Sequence, residues 1–97
     1  REITPQLIIN IVSEDFGVNP DDITSKKRSA EFVLPRQVCM YLCRNLVDIS
    51  LNDIATILNK KDHTTVIHGI KRIESDIKTN SSLRERIDII TKKINPQ

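Results

Sequence analysis

Apolar residues recur along this chain at the three- and four-residue spacing of amphipathic helices, and no stretch alternates as a strand would. Thr4 can cap a first helix that has Pro5 at its first position, and Gly17 is a natural terminator. The apolar stripe of this helix is Leu7, Ile8, Ile11 and Val12. A short helix is predicted to follow from Asn19. The pattern predicts an all-helical chain.

A longer helix is predicted from about Val33 to Val47, with Pro35 tolerated in its first turn. Its buried seam is Val38, Leu42 and Leu46, joined by Cys39 or Met40. A last helix is predicted to begin at Ser82, which forms a capping-box pattern with Glu85. Its apolar positions are Leu83, Ile87, Ile90 and Ile94.

The segment between these helices has the pattern of a helix-turn-helix. Ser50 and Asp53 have capping-box spacing at the start of a helix of about two turns. The turn Asn59-Lys60-Lys61 ends that helix, and another begins at Asp62 or His63. Two helices joined by about three residues are typical of a helix-turn-helix.

The 97 residues are enough for one domain, predicted to span residues 1–97. Aromatic residues make up only 3%, so the core must be aliphatic. Because the first residue is Arg1 rather than Met, we expect a piece of a longer protein. The sequence contains neither a secretory signal nor an apolar run of membrane-spanning length.

Charge is concentrated in the middle of the chain. Residues 24–72 contain nine Lys or Arg against four acids, whereas the net charge of the whole chain is only +2. A basic middle with acidic flanks indicates a local anionic partner, although an ordinary solvated surface explains the charge equally well.

Cys39 and Cys43 lie four residues apart on one predicted helix face. This spacing suits a disulfide poorly, and no nearby His or Cys pair completes a zinc set. We therefore expect buried, reduced thiols and no metal site, as fits a reducing cytosol.

The first turn of the second helix of the helix-turn-helix carries groups suited to reading DNA. Asp62 can accept a hydrogen bond from an exocyclic amine, His63 can contact a base edge, and Thr64 and Thr65 each offer a hydroxyl and a methyl. His68 lies on the same helix face as Thr64 and can donate a hydrogen bond to the DNA backbone. Each has a simpler explanation: Asp62 as a helix cap only, the threonines as surface residues, and His68 as a structural or solvent-facing residue.

The loop Ser25-Lys26-Lys27-Arg28-Ser29 is a second candidate contact. A basic segment beside a helix-turn-helix can insert an arginine into a narrow A/T-rich minor groove, although the same loop could simply be solvated. Arg36 and Gln37 are expected in the first turn of the following helix, where backbone N–H groups suit phosphate contacts. Arg44, two turns on, is either another phosphate contact or a solvent charge.

The run Lys61-Asp62-His63-Thr64-Thr65-Val66-Ile67-His68 resembles the signature of the bacterial chromosomal replication initiator family, DnaA, in its C-terminal DNA-binding region. The segment from Ser25 to Ser29, Pro35-Arg36-Gln37 and Ser50-Leu51 resemble the same region. The similarity extends over essentially the whole chain.

This resemblance implies a compact, six-helix, Trp-repressor-like helix-turn-helix domain that recognises short A/T-rich boxes at the replication origin. The residues implied to contact bases are Asp62, His63, Thr64 and Thr65 in the major groove and Arg28 in the minor groove. Leu51 and Asn52 are implied to border the bases. The residues expected at phosphates are Lys26, Lys27, Arg36, Gln37, Arg44, Lys61 and His68.

The resemblance also implies properties of a longer protein. A separate ATP-binding domain would assemble on the origin, whereas this chain lacks a Gly-rich phosphate loop and needs no cofactor. The chain is expected to bind double-stranded DNA as a monomer on one box, with acidic phospholipids as a candidate partner of the longer protein. The expected location is the bacterial cytoplasm, at the nucleoid.

The chain departs from the family pattern in the turn, where two glycines are usual and this sequence has Asn59-Lys60. Asn59 can adopt a left-handed conformation, but Lys60 leaves the turn geometry open. Asn52 replaces a common proline, which weakens its assignment as a base contact. Ala30 and Glu31 replace more basic or polar residues.

Two other functions remain open on the residues alone. A transcription regulator could use the same helix-turn-helix, usually as a dimer on inverted half-sites. A helical protein-interaction module would instead dock a partner through its first or last helix. An enzyme is the weakest hypothesis, because Asp62, His63 and His68 lack a nucleophile or metal-ligand set beside them.

Overall fold

A computed structural model describes residues 2–96, which form six α-helices and no strand. The helices are α1 (Pro5–Phe16), α2 (Pro20–Ile23), α3 (Ala30–Leu46), α4 (Leu51–Ile57), α5 (His63–Thr79) and α6 (Ser81–Ile94). The predicted all-α, six-helix architecture is confirmed. Within these residues, no helix has the length and apolarity that a bilayer crossing requires.

The first helix begins and ends where its sequence signals predict, and the second helix begins where its signals predict. Thr4 Oγ1 accepts a hydrogen bond from Leu7 N at 3.1 Å, and Pro5 is the first helical residue. Gly17 ends α1 in a left-handed conformation with φ 69°. Asn19 caps α2 by accepting from Asp21 N at 2.9 Å.

The start of α3 was predicted wrongly. The helix begins at Ala30, so Pro35 lies in its second turn rather than its first. Ser29 starts the helix through its backbone alone: its carbonyl oxygen accepts from Phe32 N and Val33 N, each at 3.0 Å. A helix-interior proline is costly, but Pro35 is buried, so packing against the core can offset that cost.

Helix α3 lies at the centre of the fold and packs against α1, α2, α4 and α5. Because helices surround it, α3 buries residues on more than one face. The buried apolar residues include Val38, Cys39, Met40, Leu42 and Cys43. Both cysteines are free and buried, as predicted.

Helix α5 approaches α3 closely at Gly69. A methyl group there would overlap Met40 Sδ, so the absence of a side chain at Gly69 leaves room for this methionine of α3. This contact fixes α5 against the core behind its first turns.

Helix α1 packs between α3 and α6 and therefore buries Ile9 as well as the predicted Ile8 and Val12. Arg86 of α6 stacks on the Phe16 ring at 3.8 Å and donates to Asp15 Oδ2 at 2.7 Å, which joins α6 to α1.

The predicted apolar positions of α6 are all buried, but its predicted cap is wrong. The helix begins at Ser81, and Asn80 Oδ1 accepts from Leu83 N at 3.0 Å. Asn80 therefore takes the capping role that the sequence pattern gave to Ser82, because the chain leaves α5 with almost no intervening loop.

Candidate nucleic-acid interface

The amino end of α5 projects from the fold with its polar side chains exposed. Asp62 is the N-cap, and its Oδ1 accepts from Thr64 N at 3.1 Å and from Thr65 N at 3.3 Å. Both bonds use the same oxygen, so Oδ2 is not needed for the cap. The predicted cap is therefore present, and one carboxylate oxygen remains for another donor.

Burial changes abruptly after this turn. Residues 61–65 are exposed, whereas Val66 is completely buried and Gly69 packs against α3. The first turn is thus a polar tip on a helix that is anchored immediately behind it. His68, one turn further on, is also exposed.

The turn before α5 resolves the question raised by Asn59-Lys60. Asn59 takes the left-handed conformation, with φ 58°. Asn59 N donates to Thr56 O at 3.1 Å and Lys60 N donates to Ala55 O at 2.8 Å, the bonding pattern of a Schellman cap on α4. The left-handed position is the asparagine's, so the turn forms without a glycine at Lys60.

Helix α4 begins as predicted. Ser50 and Asp53 form a reciprocal capping box, with Asp53 N donating to Ser50 Oγ at 3.0 Å. Leu51 is half-buried and Asn52 is exposed in the first turn of this helix. Arg44, at the end of α3, donates to Ile49 O at 3.5 Å just before that turn and is otherwise exposed.

The basic loop between α2 and α3 is held from inside by Arg36. This buried side chain donates to three backbone carbonyls: Ile23 O at 2.6 Å, Lys27 O at 2.9 Å and Asp22 O at 3.0 Å. The prediction of first-turn N–H groups at Arg36 and Gln37 is wrong, because α3 starts six residues before Arg36. At most the outer edge of the Arg36 guanidinium is left for a phosphate.

The three cations of the loop are not equivalent. Lys27 Nζ lies 2.7 Å from Asp22 Oδ1 and 4.9 Å from the centre of the Phe32 ring. Lys26 and Arg28 are exposed. The ion pair weakens the prediction that Lys27 contacts phosphate, since its charge is already partly compensated.

A groove of about 660 Å³ separates the basic loop from the amino-terminal half of α5. Of its thirteen lining residues, five are Lys or Arg and one is acidic. Predicted site residues that line it are Lys26, Arg28, Arg36, Gln37, Lys61, Asp62, Thr65 and His68. The structure thus brings most of the predicted site together around one cationic groove.

The remaining predicted residues lie outside this lining. They are Lys27, Arg44, Leu51, Asn52, His63 and Thr64. His63 and Thr64 share the exposed first turn of α5, whereas Leu51 and Asn52 share that of α4.

Lys60 is a residue of this groove that the sequence did not single out as functional. Its Nζ donates to Ser25 O at 3.2 Å, across 35 residues of sequence. Burial lowers the pKa of Lys60, and the neighbouring charges of Arg36, Arg28 and Lys26 lower it further. Burial likewise lowers the pKa of Arg36. The groove is therefore a region where positive charges are held close together.

No cluster of three His, Cys, Asp or Glu side chains suited to a metal ion occurs among residues 2–96. Most polar side chains that line the groove can donate to an anion, and Asp62 is the one carboxylate among its lining residues.

Comparison with known protein families gives a match over residues 5–73, to the family described as the bacterial DnaA protein helix-turn-helix. The chain belongs to this DnaA family. The match covers α1 to α4 and the first eleven residues of α5, which include the turn, the basic loop and the exposed tip. The matched family is a helix-turn-helix module rather than a catalytic domain.

Full-length relatives agree with this DnaA assignment. The chain is 45% identical over 96 residues to the chromosomal replication initiator protein DnaA of Lachnoclostridium phytofermentans, covering 99% of the chain and 21% of that protein. It is 40% identical over 94 residues to the protein of the same name from Chloroflexus aggregans, covering 97% of the chain and 20% of that protein. The chain spans about a fifth of the length of these DnaA relatives.

A solved structure supports the DnaA fold. A crystal structure described as a DNA replication initiation factor superposes with a TM-score of 0.83 and 33% sequence identity. The superposition covers 93% of this chain and 27% of the other.

Proposed function

We propose that this chain is a single DNA-binding domain, spanning residues 1–97, that recognises DnaA boxes at a replication origin and so contributes to initiation of chromosome replication. The observation that carries the proposal is the cationic groove, which has the exposed tip of α5 on one side and the basic loop on the other. DnaA family membership supports the choice of replication origins over other DNA sites.

In this proposal, the tip of α5 enters the major groove. The side chains of Asp62, His63, Thr64 and Thr65 face base edges there. The Thr methyls can pack on thymine methyls, and the Asp62 carboxylate can accept from a base amine. A carboxylate would be repelled by phosphates, so Asp62 favours a base contact over a backbone contact.

The basic loop enters the neighbouring minor groove through Arg28. An arginine is attracted there because a narrow A/T-rich minor groove concentrates negative potential. One sugar–phosphate strand separates a major groove from the adjacent minor groove, and in this placement it passes through the cationic groove of the protein.

The phosphate contacts then follow from position and exposure. The candidates for phosphate contacts around the groove are Lys26, Gln37, Lys61 and His68. Arg44, at the end of α3, is a further candidate beside the start of α4, where Leu51 and Asn52 would border the bases. Arg36 serves mainly to hold the loop. Lys27 contributes fully only if DNA draws it away from Asp22.

The properties of the longer protein belong to the same proposal. A DnaA protein of which this chain is about a fifth would carry an ATP-binding domain elsewhere and would work in the cytoplasm at the nucleoid. Acidic phospholipids are a candidate partner of that protein, and no small-molecule substrate is proposed for this chain.

The test is fluorescence anisotropy with an initiator-box duplex and a scrambled duplex over a salt series. With four or five phosphates contacted, log Kd should change by about four units per tenfold change in salt for both duplexes. At a fixed salt concentration the box should bind at least about a hundredfold more tightly. Equal affinity for the two duplexes would refute box recognition, and negligible binding to both would favour a protein-interaction module.

Sedimentation of the complex separates the initiator hypothesis from a dimeric transcription regulator. One protein per asymmetric box is expected here. Two proteins bound cooperatively to an inverted repeat, with no binding to a single box, would contradict the proposal.

A further inference from the structure

The basic loop is held by side chains from two different parts of the fold. Arg36 reaches it from α3 and takes the carbonyls of residues 22, 23 and 27. Lys60 reaches it from the turn between α4 and α5 and takes the Ser25 carbonyl at 3.2 Å. Four carbonyls of residues 22–27 are therefore bound by cations, while the side chains of Lys26 and Arg28 stay exposed.

Lys60 differs from Arg36 in what it connects. Its own backbone is fixed by the Schellman bond to Ala55 O at 2.8 Å, one residue after Asn59 and two residues before the cap of α5. The distance from this fixed point to the loop therefore depends on the Lys60 side chain. Arg36 holds the loop to α3, whereas Lys60 holds it to the element that carries the tip of α5.

We propose that Lys60 is a positioning residue that couples the two reading elements, setting where Arg28 enters the minor groove when the α5 tip occupies the major groove. This inference rests on the proposed function.

The electrostatic cost of this arrangement supports a role in binding. The Lys60 ammonium is partly removed from water and lies near Arg36, Arg28 and Lys26, and these effects lower its pKa. An ammonium has three N–H donors, and one of them is used on Ser25 O. A phosphate of the strand passing through the groove would offset the repulsion and could accept a remaining donor.

The first test uses the protein without DNA, so it does not depend on the proposed function. Lys60→Met keeps most of the aliphatic stem and removes the donor, while Lys61→Met removes the same charge from the exposed neighbour. Backbone ¹⁵N relaxation and amide exchange should show faster motion of residues 24–29 in Lys60→Met and unchanged motion in Lys61→Met. Lys60→Arg should restore the slower motion. If the loop is equally ordered in Lys60→Met and in the parent, the claim that Lys60 holds the basic loop is refuted.

The second test asks whether the hydrogen bond from Lys60 to the basic loop affects sequence discrimination in the minor groove. Replacing adenine by 2,6-diaminopurine adds an amino group in the minor groove and keeps the donor and acceptor pattern of the major groove. In the A/T segment facing Arg28, this change should weaken binding of the parent by about fivefold or more. Lys60→Met should lose most of that discrimination. It should retain the discrimination against base changes facing the α5 tip.

Charge loss alone predicts a different result. Lys61→Met should reduce the slope of log Kd against log salt by about one unit and leave the discrimination against diaminopurine intact. If Lys60→Met behaves in the same way, Lys60 is only a phosphate contact and the positioning role is refuted. If Lys60→Met loses discrimination in both grooves equally, the effect is general destabilisation and the coupling is also refuted.

The two proposals fail separately. Loss of loop order in Lys60→Met without any box-specific binding by the parent would refute the proposed function and leave the structural tie intact. Box-specific binding with a loop indifferent to Lys60 would refute the tie alone.

Discussion

Asp62 carries two roles that one pair of substitutions can separate. Its Oδ1 accepts both capping bonds, from Thr64 N at 3.1 Å and Thr65 N at 3.3 Å, which leaves Oδ2 as an acceptor for a base amine. Asp62→Ala removes the cap and the acceptor together. Asp62→Asn keeps a carbonyl oxygen for the cap but places an amino group, a donor, where Oδ2 stood.

The expected stability changes follow from the cap. Asp62→Ala should lower the free energy of unfolding by about 1 kcal/mol, within a usual range of about 0.5–2 kcal/mol. For a chain of this size, that corresponds to a decrease in Tm of about 4–8 °C. Asp62→Asn should change Tm much less, because asparagine caps helices about as well as aspartate.

The expected binding change of Asp62→Asn follows from the base contact rather than from the cap. Asp62→Asn should weaken binding to the box by about 1–3 kcal/mol, or about fivefold to 150-fold, since a donor would face a donor. Its affinity for the scrambled duplex should rise slightly, because one negative charge has left a cationic surface. Anisotropy titrations at fixed salt, beside thermal unfolding by circular dichroism, measure both quantities.

The matched control is Asn80→Ala, which removes the cap of α6 at the far end of α5. It should lower Tm to a similar extent without changing affinity for the box at temperatures where the protein is folded. If Asp62→Asn binds the box as tightly as the parent or more tightly, Asp62 is a cap only, and the proposed base contact is wrong.

Three further predictions concern other parts of the fold. Asp22→Asn should release Lys27 from its ion pair at 2.7 Å, so the slope of log Kd against log salt for DNA binding should become steeper by about 0.9. Asp21→Asn is the charge-matched control, and equal slopes in the two variants would contradict this prediction. Burial raises the pKa of Cys43 to about 12 and also raises the pKa of Cys39, so the free energy of unfolding should fall by about 1 kcal/mol for each thiol between pH 8 and pH 10, as the unfolded thiols ionise above their ordinary pKa of 9.0. Urea unfolding should show a smaller alkaline loss when both buried cysteines are alanine, and an unchanged loss would assign it to other groups. Gly69→Val should cost about 1–3 kcal/mol in thermal unfolding, because the added methyls overlap a methionine of α3, and an unchanged Tm would show that the contact yields freely.

The helix-turn-helix was predictable because its signals are local. The Asp62 cap, the Ser50–Asp53 capping box and the left-handed Asn59 each depend on residues within a few positions of one another. Short-range hydrogen bonds of this kind are encoded directly in the sequence pattern.

The errors arose where tertiary contacts outweigh local signals. Pro35 indicates a helix start within one turn, yet α3 begins five residues earlier, because packing of the buried Pro35 against the core can offset the cost of a proline inside the helix. Asn80 replaced Ser82 as the cap of α6, since the loop after α5 is shorter than its polar residues suggest.

The candidate site was predicted in composition better than in geometry. The sequence-based prediction gave Lys26 and Lys27 the same role at phosphates, and only the folded chain distinguishes Lys27, which pairs with Asp22. The burial of Arg36 against three carbonyls and the reach of Lys60 to Ser25 O involve partners 9–35 residues away. No local pattern reports such distances.

The most direct test of the account is chemical-shift mapping of the ¹⁵N-labelled protein during titration with an initiator-box duplex. We predict the largest shifts in two separate segments, residues 26–28 of the basic loop and residues 61–65 at the tip of α5, with the exposed surface of α6 around Ile89 unchanged. Shifts confined to α1 or α6, with both segments unaffected, would contradict the central claim that this groove receives the DNA backbone.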